Sequence, residues 1–210
     1  MKRLFLAGLA LVASATLALA QVNVVPQVGV STATLRQSTY SAAIKNLIPE
    51  ATAGTDFFCI SGSATKAIRV HQIQLSGTGT AATQVVYLNH NLGLDTGTAA
   101  IVGTYGPVPN PLNSGSPAAT ATTVAYNSTS GNPTIPGTVT LIRTGTLGVV
   151  ASTVGLNTPP LVWTFGSANE MYSQRLSIPA GATTEQFCLN WAGATVTASV
   201  LQGFIEWTEE

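Results

Sequence analysis

From Asp56 to its last residue the chain is broken into short apolar runs, and nothing in it suggests a long helix. Asp56–Ser61, Ala67–Leu75, Gln84–Asn89, Ala119–Tyr126, Thr138–Arg143, Leu161–Phe165, Arg175–Ile178, Gln186–Trp191 and Val196–Thr208 each lie between stretches of Gly, Ser, Thr or Pro. Alternation with a period of two places one face of an extended strand in a core, and the turn residues return the chain for the next strand. About eight or nine short strands at this spacing predict an all-β fold, a single antiparallel β-sandwich of jelly-roll type.

The phases of these runs name core residues. Trp163 shares strand phase with Leu161 and Phe165, and Trp207 shares it with Leu201 and Ile205. Trp191 closes the apolar run Phe187-Cys188-Leu189, so all three tryptophans are expected inside rather than exposed as sugar platforms. Ile68 and Val70 fall on one phase but Ile73 and Leu75 on the other, which predicts a bulge near His71-Gln72. Residues 105–117 hold Pro107, Pro109, Pro111 and Pro117 and cannot be a central strand, because proline lacks the ladder donor. They read as a long surface loop, with Tyr105 and Tyr126 flanking it as candidate exposed contacts.

Before Asp56 the pattern differs. Tyr40, Ile44, Leu47 and Ile48 match helical spacing, yet the segment is short and stops at Pro49, so 38–48 is read as a short helix or an irregular strand. Residues 21 to about 35 are Val-rich and polar, with Pro26 and Gly29, and read as an extended N-terminal arm. The domain reading is therefore a signal peptide over 1–20, an arm and connecting segment over 21–55, and the β-sandwich over 56–210.

The signal reading rests on Lys2-Arg3, an uncharged stretch from Leu4 to Ala20, and the small residues of Ala18-Leu19-Ala20 before Gln21. Export is the predicted fate, to a periplasmic, cell-surface, extracellular or virion location, with no membrane span after the signal is removed. Only 8% of the chain is charged, against roughly a quarter in typical domains. Without the signal, six basic residues stand against eight acidic ones. That balance carries no electrostatic footprint for nucleic acid or anionic membrane. So little charge suits a subunit that buries much of its surface against neighbours.

Cys59 and Cys188 are the sole cysteines, in the similar settings Phe58-Cys59-Ile60 and Phe187-Cys188-Leu189. In an exported chain an even pair favours a disulfide, and closing so long a loop is worth about 5 kcal/mol in the chain-entropy account. Such a bridge makes an early strand and a late one neighbours. Two cysteines with His71 and His90 lack metal-ligand spacing, so no metal site and no cofactor is expected from them.

No catalytic set survives inspection. Ser63-Ala-Thr-Lys66, Tyr87-Leu-Asn89 and Arg143-Thr-Gly145 mimic a penicillin-binding signature, but that chemistry needs Ser and Lys one turn apart on a helix. Here they fall in a turn between strands. His71 and His90 are the only imidazole bases for a hydrolase triad, and no G-x-S-x-G elbow accompanies them. Asp56, Asp95, Glu170, Glu185 and Glu206 stay open as a glycosidase pair, which needs only two carboxylates. Most are expected to be surface charges.

The stretch from Asp56 to Val70, with its Gly62-Ser-Ala-Thr-Lys66 core, Ala118–Ala121, Leu161–Phe165 and the closing Glu206-Trp-Thr-Glu209 carry a family resemblance. They are similar to an uncharacterised group of β-rich proteins met mainly in tailed-phage and prophage genomes. The resemblance covers roughly residues 38–210 and implies a virion- or particle-associated structural role, without assigning a catalytic residue. The expected function is a non-enzymatic structural subunit of a particle, filament or surface assembly, with itself or a larger particle as partner. The alternative is a secreted β-sandwich module that binds glycan or a cell surface.

Overall fold

The alternating runs fold as strands. The computed structural model describes residues 37–49, 54–80, 82–96, 107–127, 133–150, 158–166, 176–192 and 199–210. Among these every regular element is extended: β1 (Ser38–Leu47), β2 (Thr55–Ser61), β3 (Ile68–Thr78), β4 (Ala82–Asn91), β5 (Asn110–Pro111), β6 (Thr122–Ala125), β7 (Val139–Val150), β8 (Leu161–Thr164), β9 (Leu176–Ile178), β10 (Gln186–Trp191) and β11 (Val200–Glu209). Residues 1–20, expected to be a signal peptide, and 21–35, expected to be an arm, lie outside the described residues.

The fold is all-β, and its hydrogen bonds join the strands into one sheet in the order β5-β1-β11-β3-β7-β4-β10-β2-β6. β3 is its hinge. One edge of β3 pairs with β11 along its whole length, while the other is shared in succession by β9, β8 and the end of β7. The expectation of a purely antiparallel sheet needs a correction here. β3 and β7 pair in parallel at Gly77–Val149 and Thr78–Val150. β7 runs antiparallel to β4 and emerges beside β3 only at its far end, in the same direction as β3.

One apolar cluster draws on both stretches of the sheet. Tyr40, Ile44, Ile73, Leu75, Ile205 and Trp207 come from the β1-β11-β3 side, and Phe58, Ile60, Val86, Leu88, Phe187, Leu189 and Trp191 from the β4-β10-β2 side. At Gly145 on β7 a Cβ would meet Leu161 Cδ1 at 2.6 Å and Trp163 Cζ2 at 2.9 Å, so glycine lets β8 side chains settle on the β7 backbone. Trp163, Trp191 and Trp207 are all buried. Tyr40 stands opposite Trp207 in register and stacks on it, 5.7 Å between centroids.

Two irregularities explain the awkward sequence phases. Opposite β3 the register steps from Glu206–Gln72 to Trp207–Val70, leaving His71 as the extra residue. That bulge lets Val70 and Ile73 both face the core. Segment 38–48 is a strand rather than a helix. Tyr40, Ala42 and Ile44 alternate inward, and the register with β11 shifts between Ile44 and Leu47. Asn46 takes a left-handed φ of 45° within that shift, which returns Leu47 to the core. The spacing of Tyr40, Ile44 and Leu47 thus imitated a helix because a bulge interrupts the strand.

Candidate functional site

β10 lies between β2 and β4, and its two faces differ sharply in chemistry. Residues directly opposite in neighbouring strands project to the same face. Phe187, Leu189 and Trp191 therefore join Ile60, Phe58 and Leu88 in the main core. On the other face, Cys188 stands opposite Cys59 on β2 and Asn89 on β4, while Gln186 stands opposite Ser61 and Asn91. A register shift in β2 at Phe57 lets Phe57 and Phe58 both enter the core and turns Asp56 to the polar face opposite Asn190.

The Cys59 and Cys188 sulfurs are bonded, across strands whose Cα atoms there lie 4.1 Å apart. The bridge fastens adjacent strands of one sheet. It forms a small cluster with Tyr126 and Val124, separate from the main core. Tyr126 is 5% exposed and lies against the disulfide. The expectation of an exposed contact at Tyr126 is thus corrected, because the chain turns inward after β6 and its amide donates to Phe57 O. Tyr105 lies outside the described residues.

Around the disulfide sits a polar cluster. Asp56 is fully buried, and its Oδ1 accepts from Asn190 Nδ2 at 2.6 Å and its Oδ2 from Asn91 Nδ2 at 2.8 Å. The turn after β4 brings in Asp95, half-buried, whose Oδ1 accepts from Gln186 Nε2 at 2.7 Å and from Asn91 Nδ2 at 3.3 Å. Asp95 Oδ2 lies 3.5 Å from the Cys59 sulfur, which has no proton to donate while the bridge is intact. Asn91 Nδ2 is also 3.4 Å from the Cys188 sulfur. Asn91 is fully buried, and its Oδ1 has no hydrogen-bond partner.

Two carboxylates in so small a space do not both ionise freely. Burial, and then the charge of Asp56, push the Asp95 carboxyl up to about 7. Asp56 is raised as well, by burial, against the hydrogen bonds from Asn190 and Asn91. The same burial, with both carboxylates beside it, pushes the Tyr126 phenol up. Among the described residues the ion pairs are Arg69–Glu210 and His90–Glu185, and neither reaches these aspartates. A glycosidase role for the pair is unsuited to this setting, because a sugar cannot touch Asp56.

The other residues singled out from the sequence are not brought together. Ser63 Oγ accepts the Thr65 and Lys66 amides at 3.2 Å each, so the Ser-x-x-Lys stretch is a hydroxyl-closed turn. The Arg143 guanidinium lies over the Phe165 ring, 4.5 Å from its centroid. His71 Nε2 meets Thr208 Oγ1 at 2.9 Å, and His90 Nε2 meets Glu185 at 2.9 Å. Glu170 lies outside the described residues. The buried tryptophans form no platform for a glycan.

Asn91, Asn190 and Gln186 were missed by the sequence reading, although a signal for them exists. Gln186-x-Cys188-x-Asn190 places polar residues in strand phase with a cysteine, and Asn89-x-Asn91 places two amides on one phase of another strand. The disulfide, and the absence among the described residues of any helix long and apolar enough to cross a membrane, are compatible with an exported protein. Compared with known proteins, the chain matches no family model, no curated protein and no solved structure.

Proposed function

We propose that this chain is an exported, non-enzymatic structural subunit that builds or decorates a particle, filament or surface layer by association with further copies of itself. In this reading the two stretches of sheet close as a jelly-roll type sandwich, and residues 21–35 serve as an extended arm. The observation that carries the proposal is the unfinished edge at β1. Its outer neighbour β5 pairs only with Tyr40 and Ser41, and Leu112 N adds one bond to Thr39 O. Flanking β5, Val108 and Leu112 are 61% and 58% exposed, more than any other large apolar side chain described.

An incomplete edge beside apolar side chains is a surface that another chain can extend through main-chain hydrogen bonds. Pro109 and Pro111 keep the segment extended and deny it donors, which discourages indiscriminate pairing. Low overall charge removes the repulsion that keeps solitary domains apart. Light scattering on the mature chain, residues 21–210, tests the reading. A concentration-dependent oligomer that dissociates in the Val108→Ser, Leu112→Ser double variant is expected. A monomer at every concentration overturns it.

A further inference from the structure

We propose that Asp95 gates thiol chemistry at the Cys59–Cys188 disulfide: ionised, it holds the bridge closed to exchange, and protonated, it lets a thiol open it. The observation that carries this is the place of one oxygen. Asp95 Oδ1 accepts from Gln186 and Asn91, whereas Oδ2 is turned to the Cys59 sulfur at 3.5 Å. A disulfide sulfur has no proton to give, so that contact becomes a hydrogen bond only when Oδ2 carries one. Asp56 shares in the same proton, because a hydrogen bond between two carboxyls requires one of them to hold it.

The way in lies over β6. Both cysteines are fully buried, Val124 of β6 stands opposite Cys59, and Tyr126 lies against the bridge. β6 ends the sheet order and pairs with β2 through four residues, so it is the strand most easily lifted. The carboxyls do not depend on it. Gln186 and Asn190 of β10 and Asn91 of β4 hold them, and they stay beside the sulfurs when the cover opens. The titratable groups facing Asp95 are Asp56 from β2 and Tyr126 from the segment after β6, while β4 and β10 present the amides of Asn91 and Gln186. Tyr126 is raised by burial and keeps its proton, and His90 and Glu185 bond to each other.

A dithiol reductant meets both states of the gate. Its thiolate attacks Cys188 Sγ, the S–S bond breaks, and the electron pair of that bond passes to Cys59 Sγ. With Asp95 protonated, Oδ2–H hands its proton to that sulfur and Cys59 leaves as a thiol. The second thiolate of the reductant then displaces Cys188 and closes the reductant into a cyclic disulfide. Cys188 leaves beside Asn91 Nδ2, 3.4 Å away, and takes a proton from solvent. Two electrons have passed from dithiol to bridge, and half-exposed Asp95 regains its proton from water. With Asp95 ionised, the same route sets a leaving thiolate against a carboxylate. Attack on Cys59 instead brings the incoming thiolate to the sulfur which that carboxylate adjoins. Like charge slows both routes, because a thiol whose pKa is raised is a poorer leaving group.

The test is the rate at which dithiothreitol reduces the folded chain 21–210 between pH 6 and 8.5, expressed per reductant thiolate and read by acid quench, alkylation and mass spectrometry. Asp95, pushed up to about 7, changes state within this range. The rate per thiolate should rise by roughly tenfold or more from pH 8.5 to 6, the effect of one unit charge beside a leaving sulfur. Stability alone predicts the opposite sign. Both carboxyls are raised in the fold, so they stabilise it fully below their unfolded pKa of about 3.9, and that stability is lost as pH rises through the folded values. Opening, and reduction through it, would then slow toward acid. Asp95→Asn should give a flat profile, as should the wild-type chain unfolded in guanidinium. If Asp95→Asn fails to fold, Asp95→Ala removes the same proton, and the wild-type profile decides by itself. A wild-type rate that stays flat or falls toward acid overturns the inference, and so does an equal rise in the Asp95 variant.

Discussion

Glu209, the penultimate residue, grips the backbone of a loop 89 positions earlier, its carboxylate accepting both the amide and the hydroxyl of Thr120 at 2.9 and 2.7 Å. The Ala121 amide and the Trp207 indole complete the set at 2.9 and 3.1 Å. Burial alone would raise this carboxyl, but the bonds from Ala121, Thr120 and Trp207 overcome it and lower the pKa below its usual value. A lowered folded pKa makes the ionised group stabilising above the unfolded glutamate pKa of about 4.3, and that contribution is lost as pH falls through the folded value. Glu209→Gln should cost about 2–3 kcal/mol at pH 7, since the amide presents a donor to groups that need an acceptor. Thermal unfolding followed between about pH 7 and 3 should show the difference between variant and wild type shrinking toward acid. A difference that stays constant with pH would mean that the charge of Glu209 contributes nothing.

The hydrophobic core gives the next prediction. Trp163 lies on β8 over Gly145 of β7, joining two parts of the sheet that hydrogen bonds connect only at one end. Trp163→Ala should destabilise by about 3–5 kcal/mol, as large-to-small changes in cores do. Gly145→Ala should cost about 1–3 kcal/mol by forcing Leu161 and Trp163 outward. Chemical denaturation of both variants checks the pair. If Gly145→Ala is neutral, β7 and β8 are not packed as closely as described.

These residues also show what could be read before the structure. Period-two alternation placed Trp163, Trp191 and Trp207 inside, and the phase break between Val70 and Ile73 located the bulge at His71, because both signals are local. Local patterning left β1 open between a short helix and an irregular strand, because left-handed Asn46 shifts the strand and makes Tyr40, Ile44 and Leu47 look helical. Tyr126 was expected to be exposed from its place beside a loop, but its amide bonds to Phe57 O and its side chain packs on the disulfide. Of the candidate site, spacing could show only the polar residues in phase with Cys188, not the pairing of the two aspartates. Asp56 and Asp95 belong to different parts of the chain, and only the order β4-β10-β2 brings them together.

The disulfide should prove stabilising rather than essential. Cys59 and Cys188 are already opposite each other in paired strands, so the ladder positions them even without the bond. Replacing both with Ser should cost about 2–5 kcal/mol and leave a folded β-rich protein. Circular dichroism and unfolding of the double variant measure this, and non-reducing peptide mapping of native protein should recover the two cysteines linked. Free thiols at both positions in native material would count against the bond.

The arm offers the last prediction and bears on assembly alone. Residues 21–35 lie outside the described residues, and the described strands begin at Ser38, so a chain starting at residue 36 keeps the sequence of every one of them. If the arm adds a strand to the edge of a neighbouring copy, main-chain hydrogen bonds supply the affinity and side chains need only avoid clashes. Such an addition would also cover the part of β1 that β5 leaves open, an edge that otherwise invites uncontrolled pairing. If so, a chain beginning at residue 36 should unfold at nearly the temperature of the chain 21–210 at low concentration, yet remain monomeric at concentrations where the chain 21–210 is expected to assemble. Adding the arm as a separate peptide should produce saturable binding to the truncated chain. Assembly of the truncated chain at the same concentration as the intact one would remove the arm from the mechanism and leave Val108 and Leu112 as the contact to test.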